Sequence, residues 1–151
     1  MLVKEAKAIA RRWVLAEMSQ LPGFSGAFYH GSTGWLADDI ELPAASDLDV
    51  MVVLTDPNPP VKPGKFISHG VLLEISYLAQ AELSSPEAVL GLSHLAGSFR
   101  TASVIADPTG QLTALQGKVA RDYAQRRWVY ARCEQARRKI LDGLAQLREL
   151  E

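Results

Sequence analysis

Asp47 and Asp49 are the first residues whose type and spacing suggest chemistry. They open the run Asp47-Leu-Asp-Val-Met-Val-Val-Leu54, which reads as a β-strand. Strand residues two apart point to the same side, so both carboxylates face one region while Leu48 and Val50 turn into the core. Two such charges repel and are costly to desolvate. A hard divalent cation removes that penalty: Mg²⁺ takes oxygen ligands and is commonly held by one or two carboxylates together with substrate phosphates. An isolated Asp-x-Asp more often only ends a strand in solvent, so the neighbours decide.

Two neighbours point the same way. Glu74 sits inside Val71-Leu-Leu-Glu-Ile-Ser-Tyr77, an otherwise apolar strand, where an unpaired carboxylate is expensive. Its partner is either a basic residue such as Arg100 or the cation held by Asp47 and Asp49. Gly31-Ser32 follows a short strand and precedes a helical turn, a place where backbone N–H groups and a hydroxyl can cradle phosphate. The remaining candidates have ordinary readings that come first. His30 reads as a strand-end histidine satisfied by backbone before it reads as a phosphate or acceptor contact. His69 belongs in an exposed turn, and His94 on a helix in a structural role. Arg100 and Lys65 could neutralise phosphate. The basic stretch with Arg126, Arg127, Arg132, Arg137, Arg138 and Lys139 reads as a solvated helix face that could also line a cleft, with Arg127 or Arg132 toward phosphate. Trp35 fits core or interface before a stacking role.

The elements that must position these groups follow from periodicity. Leu2, Ala6, Ile9, Trp13 and Ala16 recur at helical steps, giving a helix from about residue 2 to 20 that ends before Pro22-Gly23. A short strand over Gly26–His30 leads through one helical turn and a loop to the Asp47 strand, whose continuously apolar second half implies cover on both faces. Four prolines between Thr55 and Gly64 make a loop. Two strands, Lys65–Ser68 and Val71–Tyr77, flank a tight His69-Gly70 turn. Ser85 is a natural N-cap, with Pro86 at the first helical position, for a helix running to about Leu95. A strand over Thr101–Ala106 closes at Asp107-Pro-Thr-Gly110, and from Gln111 to the end the pattern is helical. The expectation is an α/β (α+β) domain with a mixed sheet flanked by helices, a core over residues 1–110 and a C-terminal helical extension over residues 111–151, packed on the core or in a dimer.

Composition sets the boundaries. With 151 residues and 48% hydrophobic, the chain can bury a real core. A net charge of −1 argues against a broad basic surface for nucleic acid. One cysteine, Cys133, excludes a disulfide framework and a cysteine-rich zinc site. No apolar run reaches the roughly 18 residues of a membrane span. The N-terminal charges Lys4, Glu5 and Lys7 deny a signal-peptide core, so a soluble cytoplasmic protein is expected.

Taken together, Gly31-Ser32, Ser46-Asp-Leu-Asp-Val50 and the apolar-acidic-apolar Leu73-Glu74-Ile75 resemble the signature of the DNA polymerase β-like nucleotidyltransferase superfamily. Ala106-Asp-Pro-Thr-Gly-Gln-Leu112 and the helix after it are similar to small bacterial nucleotidyltransferases, aminoglycoside adenylyltransferases among them. The resemblance implies a nucleotidyltransferase fold and transfer of a nucleoside monophosphate from a nucleoside triphosphate, ATP first, to an acceptor hydroxyl. It assigns Asp47, Asp49 and Glu74 as catalytic metal ligands for two Mg²⁺ ions, with Mn²⁺ as a substitute, and Gly31 and Ser32 to the β- and γ-phosphates. The acceptor it suggests is a small hydroxylated molecule such as an aminoglycoside-like antibiotic.

Three departures set the alternatives. The segment between Ser32 and Asp47 is somewhat longer than usual, and one long helix stands where antibiotic-modifying members usually add a helical domain that shapes the acceptor site. Either a second subunit completes the site, the sequence is a piece of a longer protein, or the substrate differs. The short length favours a protein-nucleotidylating domain paired with a toxin, but Thr33-Gly34-Trp35-Leu36 stands where those proteins carry a basic run. A catalytically silent nucleotide-binding scaffold is the third reading, and the presence of all three acids weighs against it. The apolar residues Ile140, Leu144, Leu147 and Leu150 suggest a homodimer through the last helix.

Overall fold

The structure, a computed structural model, describes residues 1–150. It is a mixed α+β fold built on one five-stranded sheet. Helix α1 (Val3–Trp13) runs on into a wider π-helical turn at Val14–Met18, followed by β1 (Phe24–His30), β2 (Leu48–Leu54), β3 (Gly64–Ser68) and β4 (Val71–Ala79). Then come the short helix α2 (Pro86–Leu90), β5 (Val104–Ala106), α3 (Gln111–Asp122) and α4 (Arg126–Glu149). The strand order is β3-β4-β2-β1-β5. Only β2 and β4 run parallel; the other neighbours are antiparallel.

Strand alternation builds two apolar layers. Leu48, Val50, Val52 and Leu54 of β2 join Leu73 and Ile75 of β4 beneath α1, whose Ala6, Ile9 and Ala10 are buried against them. The opposite face of the sheet carries Phe28, Val53 and Leu78, covered by Val89 and Leu90 of α2, Phe99, and Leu112, Leu115 and Val119 of α3. Two-sided cover explains the continuous apolar half of β2. The second cover is partial: it spares the end of the sheet where β2 begins, so Asp49 and Glu74 remain half-buried rather than sealed.

Sequence pattern overstated three elements. The helix opened by Ser85, whose hydroxyl accepts from the Ala88 amide, stops at Leu90 instead of Leu95. Arg132 donates to the Leu90 carbonyl, satisfying a backbone acceptor at the helix end, and the chain turns so that Leu95, Ala96 and Phe99 reach the core. His94 therefore lies exposed in that turn, not on a helix. The strand at Thr101 begins only at Val104. The C-terminal helical pattern is two helices, broken where Gln125 turns extended. The Arg132 guanidinium holds that break, donating to the Tyr123 carbonyl at 2.6 Å and lying 4.1 Å from the Tyr123 ring centroid. Arg132 is thus a structural clamp, while Arg137 and Arg138 pair with Glu134 on the exposed face.

Asp107 fastens α3 to β5. Its carboxylate accepts from the amides of Leu112 (3.3 Å) and Thr113 (2.8 Å). Burial alone would raise its carboxyl, but these backbone bonds outweigh burial and hold it below the ordinary aspartate range. A depressed folded-state pKa contributes stability above the unfolded value that is lost as pH falls through the folded one. Asp107→Ala is expected to cost about 1 kcal/mol near neutrality, the usual worth of such a cap. In thermal melts, the gap from wild type should close as pH drops below about 4. A pH-independent gap would mean that the carboxylate's charge is irrelevant.

Candidate metal and nucleotide site

The three acids come together. Oxygen atoms of Asp47, Asp49 and Glu74 lie within 4.8 Å of one another. The register explains it. Asp49 of β2 stands opposite Glu74 of β4 and, on its other side, opposite His30 of β1; Glu74 stands opposite Lys65 of β3. Residues directly opposite on adjacent strands share a face. One row across four strands therefore reads His30, Asp49, Glu74, Lys65, and it lies on the face that the helices leave partly open. Asp47 precedes β2 by one residue and joins the row from its end. Its backbone is fixed because the buried Thr33 hydroxyl donates to the Asp47 carbonyl at 2.7 Å.

Lys65, not Arg100, is the basic partner. Its Nζ lies 2.6 Å from Asp47 Oδ2 and 3.4 Å from Glu74 Oε2. The Lys65 hydrogen bond holds the Asp47 carboxyl below its ordinary range. Asp49 behaves oppositely. Burial, then the nearby charges of Asp47 and Glu74, push it up to about 6. Three carboxylates served by one ammonium leave Asp49 short of positive charge, which is the deficit a hard oxygen-seeking cation meets. The donor set thus fits Mg²⁺ or Mn²⁺.

Gly31 abuts this group. Its backbone has φ +73° and ψ −176°, a conformation open essentially to glycine alone. A Cβ built there would overlap Asp49 Oδ2 and lie 3.1 Å from its Cγ. The glycine therefore lets the chain pass directly against the Asp49 carboxylate. Ser32 begins a single 3₁₀ turn, Ser32–Trp35. Four residues carry little macrodipole, so any phosphate cradle here rests on local amides and the exposed Ser32 hydroxyl rather than on a helix end.

The flank is ordered by residues whose roles the sequence left open. His30 Nδ1 lies 2.6 Å from the hydroxyl of buried Ser98. Burial, with a smaller effect from His94, lowers the His30 pKa and so favours the neutral ring. Trp35 donates from Nε1 to the Gly97 carbonyl at 3.1 Å, and its ring lies so close to Gly97 that a Cβ there would come within 2.8 Å of it. Arg100 lies 4.8 Å from the Trp35 ring centroid and 5.9 Å from that of Tyr123, far from the paired role with Glu74 that its sequence position allowed. His69 is exposed in the hairpin turn as expected.

One signal for Lys65 was present in the sequence. A two-residue turn at His69-Gly70, both at positive φ, sets Ser68 opposite Val71 and so Lys65 opposite Glu74. Among the described residues no helix is long and apolar enough to cross a membrane. No family model matches the chain, and no curated protein matches it significantly.

Proposed function

We propose that this protein is a metal-dependent nucleotidyltransferase of the DNA polymerase β-like type, moving a nucleoside monophosphate from a nucleoside triphosphate to a hydroxyl acceptor. The observation that carries the reading is the convergence of Asp47, Asp49 and Glu74 beside Gly31. Asp47, Asp49 and Glu74 would hold Mg²⁺, two ions in the full site. Bound there, the metal supplies Lewis acidity and neutralises charge on the phosphoryl oxygens. Gly31 and Ser32 bring backbone and hydroxyl toward the β- and γ-phosphates. In the reaction the acceptor oxygen bonds to the α-phosphorus, the bond between that phosphorus and the bridging oxygen breaks, and pyrophosphate leaves with the electron pair. Glu74 would take the acceptor's proton. The acceptor proposed is a small hydroxylated molecule reaching the open end of the sheet from solvent, an aminoglycoside-like molecule being the first to try. The test is pyrophosphate release from ATP and Mg²⁺ across an aminoglycoside panel, with calorimetry of triphosphate binding beside it. Absence of any metal-dependent triphosphate binding would sink the reading.

The last helix bears on how the site is completed. At 24 residues α4 is about 36 Å long, and it buries none of them fully. Ile140, Leu144 and Leu147 are each at least 50% exposed. Cys133, Ala136, Ile140, Gly143, Leu147 and Leu150 alternate three- and four-residue steps along one face, the spacing of a helix-pairing seam. Pairing with a second copy through this seam is expected. Light scattering should give a dimer at micromolar concentration that Ile140→Glu with Leu147→Glu converts to monomer; a wild-type monomer would contradict it.

A further inference from the structure

Lys65 has a place in the site that charge balance alone does not require it to keep. It is the only lysine or arginine within ion-pair distance of the three acids among the described residues. Its side chain is 55% exposed, so little packing restrains its long stem. It reaches Asp47 and Glu74, two of the three oxygen donors a cation would need. An ammonium and a divalent ion held on the same two carboxylates repel each other at such separation, so each weakens the other's hold.

We propose that Lys65 is an exchangeable counter-ion: it holds Asp47 and Glu74 while the site is free of metal, and it moves onto the phosphates of the incoming triphosphate as the metal takes the carboxylates. The inference rests on the metal-site reading above and adds a coupling to it. Without nucleotide the ammonium has nowhere better to go, and the metal binds weakly. With a triphosphate present, phosphate oxygens replace the carboxylates as its partners. Metal and nucleotide then load together, each favouring the other by the same factor.

The experiment uses the intact protein, Mn²⁺ followed by electron paramagnetic resonance, and α,β-methylene-ATP followed by calorimetry. Lys65→Gln is expected to tighten Mn²⁺ binding in the absence of nucleotide by about tenfold, the scale of one unit charge acting on a divalent ion a few ångströms away. At saturating Mn²⁺ the same variant should bind the analogue about tenfold more weakly, as loss of one charged phosphate contact implies. Lys62→Gln is the control. Lys62 sits 3.5 Å from the Ser76 hydroxyl and pairs with none of the acids, so neither affinity should move by more than about twofold. Unchanged Mn²⁺ affinity in Lys65→Gln would overturn the proposal. So would tighter Mn²⁺ with unchanged analogue binding, which makes Lys65 a plug and not an exchanger, or an equal response in Lys62→Gln, which makes the effect general charge. Failure of both wild type and Lys65→Gln to bind Mn²⁺ would overturn the site itself, an outcome distinct from these.

Discussion

Asp49→Asn is expected to abolish metal-dependent turnover while making the metal-free protein more stable. The two effects come from one cause. Asp49 lies among Asp47 and Glu74 with only Lys65 to balance them, and burial with these charges pushes its carboxyl up to about 6. A folded-state pKa above the unfolded value means that the neutral form suits the fold. The stabilisation is complete below the unfolded pKa near 3.8 and is lost as pH rises through about 6. An amide keeps the shape and removes the charge. At pH 7 the variant should gain about 1 kcal/mol, a figure reduced from the raw shift because the group is only half-buried and solvent screens part of its charge. At pH 4 wild type and variant should melt alike. Turnover moves the other way: losing a ligand from a site that contributes several kcal/mol of transition-state stabilisation should cost about 10³-fold or more. A variant that is stabilised but still active would show that Asp49 is a strained carboxylate with no metal role. A variant that is inactive but not stabilised would place the charge deficit elsewhere.

How much of this was readable beforehand depends on where the information lies. Asp47 and Asp49 were legible because strand geometry turns a two-residue spacing into a shared face. Glu74 was legible because an acid in an apolar run demands a partner. The sheet core followed from the same alternation, and Leu48 and Val50 are indeed fully buried. The misreadings share one origin. Periodicity shows where a helix is favourable but not where tertiary contacts stop it. No glycine or proline marks the break between Asp122 and Arg126. Its stabilising clamp is Arg132, which in sequence is indistinguishable from Arg137 and Arg138. Arg100 likewise could be matched to Glu74 on charge alone, yet the fold sends it to Trp35 and Tyr123. Local pattern fixed the acids; long-range contacts chose their neighbours.

Gly31→Ala should be damaging out of proportion to the one methyl it adds, affecting stability and metal affinity together. Two penalties coincide. The φ of +73° with extended ψ is a conformation a Cβ-bearing residue enters at a cost of about 1–3 kcal/mol. The added methyl would also occupy space held by the Asp49 carboxylate, whose Cγ and Cβ lie 3.1 and 3.4 Å from it. Either the turn opens, moving Ser32 and the Thr33 anchor on Asp47, or Asp49 rotates away from Glu74. Both outcomes disturb the oxygen cluster. At about 2 kcal/mol, a domain of this size should melt about 6 °C lower. Mn²⁺ affinity should fall by at least about tenfold, the equivalent of 1.4 kcal/mol. The double variant Gly31→Ala with Asp49→Ala separates the causes, because it removes the clash and leaves the backbone strain. Part of the lost stability should return, as a positive coupling in a double-mutant cycle. Wild-type melting and Mn²⁺ binding in Gly31→Ala would mean that the turn accommodates a side chain without disturbing Asp49, and that the glycine's approach to the carboxylate does not hold the site together.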